Sequence, residues 1–128
     1  MLVVDDNEAS GLALTAALGE EAMDTRLATS GLEALECTRS RTPDVIVLDI
    51  NMPHHDGFST ARVLRRVLST RHAAIVAFTA LDEREVRERG ELAGFDGYCQ
   101  KGQPPEELLT VIHTLTGRQG QAFGNQLP

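Results

Sequence analysis

Asp5, Asp6, Asp49, Thr79 and Lys101 are residues whose types could do chemistry together. Each stands at or near the end of a short apolar run: Leu2-Val3-Val4, Val45-Ile46-Val47-Leu48, Ala74-Ile75-Val76-Ala77-Phe78 and, more weakly, Phe95 to Cys99. If the runs are parallel strands of one open sheet, residues just past their ends gather on one edge, where ligands of such sheets bind. Three carboxylates in one crevice repel one another and do not all ionise cheaply without a cation. Mg²⁺ (or Mn²⁺) suits them, because a hard octahedral ion takes one or two carboxylates and leaves room for waters and phosphate oxygens. Lys101 adds a positive charge for a phosphoryl oxygen, and Thr79 adds a hydroxyl donor. One carboxylate can then serve as the nucleophile of aspartyl-phosphate chemistry. Singly, each residue has an ordinary role: adjacent aspartates cap turns, and loop threonines and lysines are solvated. Only their joint placement distinguishes a site.

The elements that would position them alternate strand and helix five times. Asn7 can cap a first helix with apolar positions Leu12, Leu14, Ala17 and Leu18, stopped by Gly19. Met23 to Thr29 reads as a half-polar strand suited to a sheet edge, and Ser30-Gly31-Leu32-Glu33 is a capping box opening a helix through Leu32 and Leu35. The unbroken apolar run from Val45 to Leu48 is expected of a strand covered on both faces. Asp56 caps a third helix with Phe58, Ala61, Leu64, Val67 and Leu68 on one face; Asp82 and Glu85 open a fourth, closed by Gly94. Pro105 starts a fifth. Such βαβ units imply an α/β fold, a five-stranded parallel sheet with helices on both faces. An edge-like second strand favours the order 2-1-3-4-5, which places Asp5, Asp6 and Asp49 at the switch point. One domain is expected over 1–117 and a disordered tail over 118–128.

Composition narrows the classes. The chain has 128 residues, 41% of them hydrophobic, and a net charge of -7. That acidic balance argues against direct nucleic-acid binding, which usually comes with a basic stripe. No apolar run approaches the ~20 residues that span a bilayer, and no basic-then-apolar leader is present. Cys37 and Cys99 read as reduced thiols, so a cytoplasmic location without membrane insertion is expected.

With these pieces in place the chain resembles, over about residues 1–117, the receiver domain of two-component response regulators. The matching stretches are Leu2-Val3-Val4-Asp5-Asp6-Asn7, Leu48-Asp49-Ile50-Asn51-Met52-Pro53 with Asp56-Gly57, Phe78-Thr79-Ala80, and Gly94-Phe95-Asp96-Gly97-Tyr98 followed by Lys101. The resemblance implies a flavodoxin-like fold and a phosphorelay module in which Asp49 accepts a phosphoryl group from a histidine kinase or histidine phosphotransfer protein. It implies that Asp6, Asp49 and the backbone carbonyl of Asn51 hold Mg²⁺, with Asp5 acting through a bound water. It also implies that Thr79 and Lys101 bind phosphoryl oxygens and that Tyr98 turns as Thr79 moves. A homodimer mate or effector would meet the face of the fourth helix, fifth strand and fifth helix. Such a module is not a conventional enzyme: its chemistry is Mg²⁺-dependent transfer to its own aspartate and slow self-dephosphorylation. One departure stands out: the family commonly has proline directly after the lysine, and here it is Gly102.

Other classes remain in view. A haloacid-dehalogenase-type hydrolase also uses a strand-end aspartate and Mg²⁺, but needs a second acid two residues on; Asn51 stands there and cannot shuttle a proton. A flavodoxin-like small-molecule binder would need a phosphate loop where Asp5-Asp6-Asn7 stands. A receiver used unphosphorylated, purely for docking, would not need the acceptor set. Both a stand-alone regulator and the receiver of a hybrid sensor kinase fit the sequence.

Overall fold

A computed structural model describes residues 1–18, 25–52, 55–67 and 69–117. The helix stop expected at Gly19, the first residues of the second strand, Leu68 and the tail over 118–128 lie outside the described residues.

Five parallel strands form the sheet: β1 (Leu2–Val4), β2 (Arg26–Ala28), β3 (Val45–Asp49), β4 (Ala74–Thr79) and β5 (Gly97–Gln100). Their order is β2-β1-β3-β4-β5, as the polar second strand predicts. Register aligns Val4 with Leu48 and Asp49 with Phe78, so the strand ends fall level along one edge. The helices are α1 (Glu8–Leu18), α2 (Gly31–Ser40), α3 (Gly57–Arg66), α4 (Glu83–Ala93) and α5 (Pro105–Thr116).

The apolar run of β3 is explained by its central position. Ile46 and Leu48 join Ala34, Phe58, Ala61, Leu64 and Val86 in one core, facing α2, α3 and α4. Val45 and Val47 join Leu18, Leu108 and Ile112 in a second core, facing α1 and α5. A strand whose alternate residues enter two cores has no face left for polar side chains.

The helix starts follow the sequence. Ser10 N–H donates to Asn7 Oδ1 (2.9 Å), Glu33 N–H to Ser30 Oγ (3.0 Å), Phe58 N–H to Asp56 Oδ1 (3.0 Å) and Glu85 N–H to Asp82 Oδ1 (2.9 Å). In the Ser30 capping box the returning Glu33 carboxylate accepts the N–H of Thr29, one residue ahead of the cap. The helix faces differ from the pattern at several positions: Ala17 is exposed, and Val67 lies just past the end of α3 as its C-cap rather than on its face. Leu12 is 55% exposed and Leu32 65% exposed, while Gly11 and Ala34 lie against the sheet. A Cβ on Gly11 would come within 2.4 Å of Leu27 Cδ1, so α1 packs by its glycine rather than by Leu12.

β5 starts at Gly97 rather than Phe95, because Asp96 meets β4 with its side chain as well as its backbone. Its carboxylate accepts Ile75 N–H at 2.9 Å, and its own N–H donates to Ile75 O at 2.8 Å. The same carboxylate pairs with Arg65, whose guanidinium also reaches the carbonyls of Gly94, Arg71 and Ala73. One arginine thus ties α3 to the segments leading into β4 and β5.

Behind Asp49 the chain forms a two-residue ribbon, Asn51–Met52 against His55–Asp56. Gly57 closes it, donating its N–H to Ile50 O at 3.2 Å. A Cβ at Gly57 would lie 2.6 Å from Ile50 Cα and 2.8 Å from Asp49 O, both backbone atoms that cannot swing aside. Gly57→Ala is therefore expected to destabilise the domain by about 1–3 kcal/mol, the usual cost of overpacking, measured by urea unfolding. An unchanged midpoint would show that the loop behind Asp49 yields freely.

Candidate functional site

The level strand ends deliver the acidic residues to one place. Asp5 follows β1, its N–H held by Ala28 O of β2 at 2.9 Å, and Asp49 is the last residue of β3. Asp5, Asp6 and Asp49 each offer a carboxylate oxygen, and these oxygens all lie within 4.8 Å of one another. Asp5 and Asp49 are buried, while Asp6 is more open. Among the described residues this is the group of side chains placed to hold a metal ion.

Lys101, just past β5, completes the cluster. Its N–H donates to Thr79 O at 2.8 Å, so its backbone is pinned to the end of β4. Its side chain passes the Phe78 ring, 5.7 Å from the centroid, and sets Nζ 3.1 Å from Asp49 Oδ2 and 3.8 Å from Asp5 Oδ2. Thr79 is fully buried, and its hydroxyl oxygen accepts Leu81 N–H at 3.2 Å, which orients the loop after β4. The five residues singled out in the sequence are therefore together at one sheet edge. Asn51 lies in the ribbon, its main chain paired with Asp56. Tyr98 lies apart from the carboxylates, on the α4 side of the sheet, and donates its hydroxyl to Leu81 O at 2.6 Å.

The electrostatics follow from burial. Loss of water raises the Asp5 carboxyl above its usual value; the N–H of Asn7 and the Lys101 ammonium oppose this, and Asp49 adds to it. Burial likewise raises the Tyr98 phenol, with Glu83 and Asp82 reinforcing, and raises the Cys99 thiol. The tyrosine therefore stays a neutral donor to Leu81 O across the physiological range. The donor set, three oxygens of hard carboxylates with one lysine beside them, fits a hard divalent cation.

The arrangement also matches known proteins. Residues 1–113 match the response regulator receiver domain. The chain belongs to that family. It is 37% identical to the response regulator PleD of Caulobacter vibrioides over 135 residues, an alignment covering 99% of this chain and 30% of PleD. The chain spans 30–55% of the length of the curated relatives it matches. Among solved structures, the chemotaxis protein CheY4 of Vibrio cholerae superposes with a TM-score of 0.83 at 27% identity, covering 89% of this chain and 95% of that one. The receiver domain of the sensor histidine kinase PA1611 of Pseudomonas aeruginosa, which has a magnesium ion coordinated in its active site cleft, superposes with a TM-score of 0.77 at 28% identity. That match covers 91% of this chain and 95% of that one.

This chain is thus a receiver domain of two-component signal transduction, from a family of signalling domains rather than conventional enzymes. Receivers of this family work with histidine kinases and bind Mg²⁺ in their acidic pocket. No helix among the described residues is long and apolar enough to cross a membrane.

Three structural contacts between α3, α4 and the approach to β5 were not legible in the sequence. Arg89 of α4 stacks over the Phe58 ring, 4.1 Å from the centroid, and lies 3.9 Å from Asp56 Oδ2. Phe58 in turn meets Phe95 edge-to-face at 5.7 Å. No local signal marks these pairs, since 31 or more residues separate Arg89 and Phe95 from Phe58 and Asp56 along the chain.

Because the folded state raises the Asp5 carboxyl, its ionisation opposes folding. The fold is free of this cost below the usual carboxylate value of 3.8 and bears it increasingly as pH rises through the higher folded value. Asp5→Asn should therefore raise the melting temperature in EDTA at pH 7, with a smaller gain near pH 3.5. A loss of stability at pH 7 would mean that the attraction of Lys101 outweighs desolvation.

Proposed function

We propose that Asp49 is the phosphoacceptor of this receiver and that it takes its phosphoryl group from a phosphohistidine on a histidine kinase or histidine phosphotransfer protein. The observation that carries this reading is Lys101 Nζ lying 3.1 Å from Asp49 Oδ2, with Asp5 and Asp6 beside them. Asp6, Asp49 and the backbone carbonyl of Asn51 would hold Mg²⁺ (or Mn²⁺), with Asp5 acting through a bound water. When bound, the ion neutralises charge on the phosphoryl oxygens. A carboxylate oxygen of Asp49 attacks phosphorus in line as the phosphorus–nitrogen bond breaks, through a loose transition state, and the imidazole leaves. Lys101 and the Thr79 hydroxyl take the equatorial oxygens. Release of the group by water is slow, because Asn51 offers no acid or base two residues beyond the acceptor; this is also why a hydrolase fits the site less well.

Incubation with acetyl phosphate and Mg²⁺ should add one acid-labile phosphoryl group, read by intact mass. Asp49→Asn or EDTA should abolish it. Unchanged labelling in either would overturn the assignment, and a wild-type chain that takes no phosphate would favour a receiver that docks unphosphorylated.

The output face in this reading is α4, β5 and α5, where an effector or a second copy would bind. A groove of about 270 Å³ between α4 and β5, lined in part by Glu83, Val86, Phe95 and Tyr98, supports it. Phosphate on Asp49 would draw the Thr79 hydroxyl away from Leu81 N–H. The loop whose Leu81 carbonyl holds Tyr98 would then shift. Only a few kcal/mol of differential affinity is needed to move such an equilibrium. Beryllofluoride should therefore shift the Tyr98 ring signals in NMR spectra of wild type but not of Thr79→Ala. Equal shifts in both would show that the coupling bypasses Thr79.

A further inference from the structure

We propose that Gly102 is a positioning residue for Lys101, an inference that rests on Lys101 acting at Asp49 as described above. Lys101 is held at two points: its N–H on Thr79 O at 2.8 Å, and its Nζ between Asp49 and Asp5. The chain must then turn from the end of β5 into α5, which begins at Pro105. Pro104 and Pro105 are stiff, since each ring fixes its own φ, and Pro104 has φ -58. Between the pinned lysine and this rigid pair lie only Gly102 and Gln103. Gly102 makes the turn, with φ +94, while Gln103 shows no positive φ.

Space is not what calls for glycine here. A Cβ at Gly102 would meet nothing within 4 Å. The requirement is conformational: at positive φ an L-residue crowds its own backbone, whereas glycine does not. An L side chain at 102 would therefore favour a loop with a different path. The cheapest adjustment falls on the torsions joining 101 to 102, because β4 holds one side and the two prolines hold the other. That adjustment re-aims the lysine stem and withdraws the ammonium from Asp49. The carboxylates themselves sit just past β1 and at the end of β3 and are not disturbed.

The decisive comparison is one of handedness. Cys99 lies three residues before the glycine and allows the full chain to be assembled by ligation at the Tyr98–Cys99 junction, then refolded. Three chains are made this way: glycine at 102, and Gly102→Ala with either the D or the L enantiomer. The two alanines have the same size and polarity and differ only in the sign of φ they favour. Two readouts are taken, the initial rate of phosphorylation by acetyl phosphate and the affinity for Mg²⁺ alone.

The D-alanine chain should phosphorylate within two-fold of the glycine chain. The L-alanine chain should be slower by about 5- to 30-fold, the factor that corresponds to the ~1–2 kcal/mol cost of a left-handed L-residue. Mg²⁺ affinity should not fall in the L-alanine chain, because a withdrawn ammonium no longer competes with the ion for Asp49 and Asp5, which separates a displaced lysine from a damaged acidic cluster. Equal rates for the two enantiomers, or a parallel fall in Mg²⁺ affinity, would overturn the inference. If the L form does not fold, the D form decides alone: a rate within two-fold of glycine supports the role, and a slower one overturns it. A glycine chain that itself takes no phosphate would overturn the Asp49 reading, and this one with it.

Discussion

Two buried carboxylates at the ends of neighbouring parallel strands are the constraint around which this molecule is arranged. Asp5 and Asp49 are each almost wholly removed from water, and together with Asp6 they bring oxygens within 4.8 Å of one another. Two unit charges about 4 Å apart repel by about 4 kcal/mol at an effective dielectric near 20, comparable to the whole margin of stability of a small domain. The fold tolerates this because the repulsion is met by specific groups. The Asn7 N–H bonds Asp5, and the Lys101 ammonium sits against Asp49 and within reach of Asp5. Loss of water is the main reason that the Asp5 carboxyl is nevertheless raised, and Asp49 adds to it. An acidic pocket of this kind is one that a hard divalent cation would stabilise.

The rest of the structure differs in how firmly it is held. β3 is buried on both faces, and α3 buries Phe58, Ala61 and Leu64 against it. By contrast, Val86 is the buried one among the described side chains of α4. The other contacts of α4 are largely charged: Arg84 with Glu88 and Arg87 with Glu83 along its own surface, and Arg89 with Asp56. Exposed pairs of this kind contribute at most ~1 kcal/mol each. The described part of α4 is therefore held mainly by contacts that are cheap to break. It is nevertheless tied to the site by the Arg89–Phe58 stack and by the Tyr98 hydroxyl on Leu81 O.

Arg65 shows how positions distant in sequence are fastened. Its guanidinium gathers three backbone carbonyls and the Asp96 carboxylate, joining α3 to the entries of β4 and β5. Gly94, which ends α4 with φ +87, presents its carbonyl to this arginine. The planar fork of donors suits the task, because several fixed acceptors can be bonded by one pre-organised group.

The five strands of the parallel sheet, the helix caps and the carboxylate cluster were legible in the sequence, though not the start of β5 or the ribbon behind Asp49. Runs such as Val45 to Leu48 have only one way to hide every side chain, between two layers of helices, and Ser30, Asp56 and Asp82 cap because their short side chains reach the nearest N–H groups. These are local facts, and local physics decides them. The alternation of strand and helix, with a polar second strand, was enough for the sheet order, and the sheet order was enough to bring Asp5, Asp6 and Asp49 together. What the tertiary structure alone decided is which face each helix buries and which distant groups meet. Leu12 and Leu32 point outward because the close approach of Gly11 to Leu27 and the burial of Ala34 set the helix rotations, and no periodicity announces a contact made by a missing side chain. Arg65 on Asp96, Arg89 on Phe58 and the backbone of Lys101 on Thr79 are contacts between segments that are neighbours only after the sheet has formed. Residue types set the chemistry available to this chain, and the register of parallel strands determined which of those residues came within bonding distance.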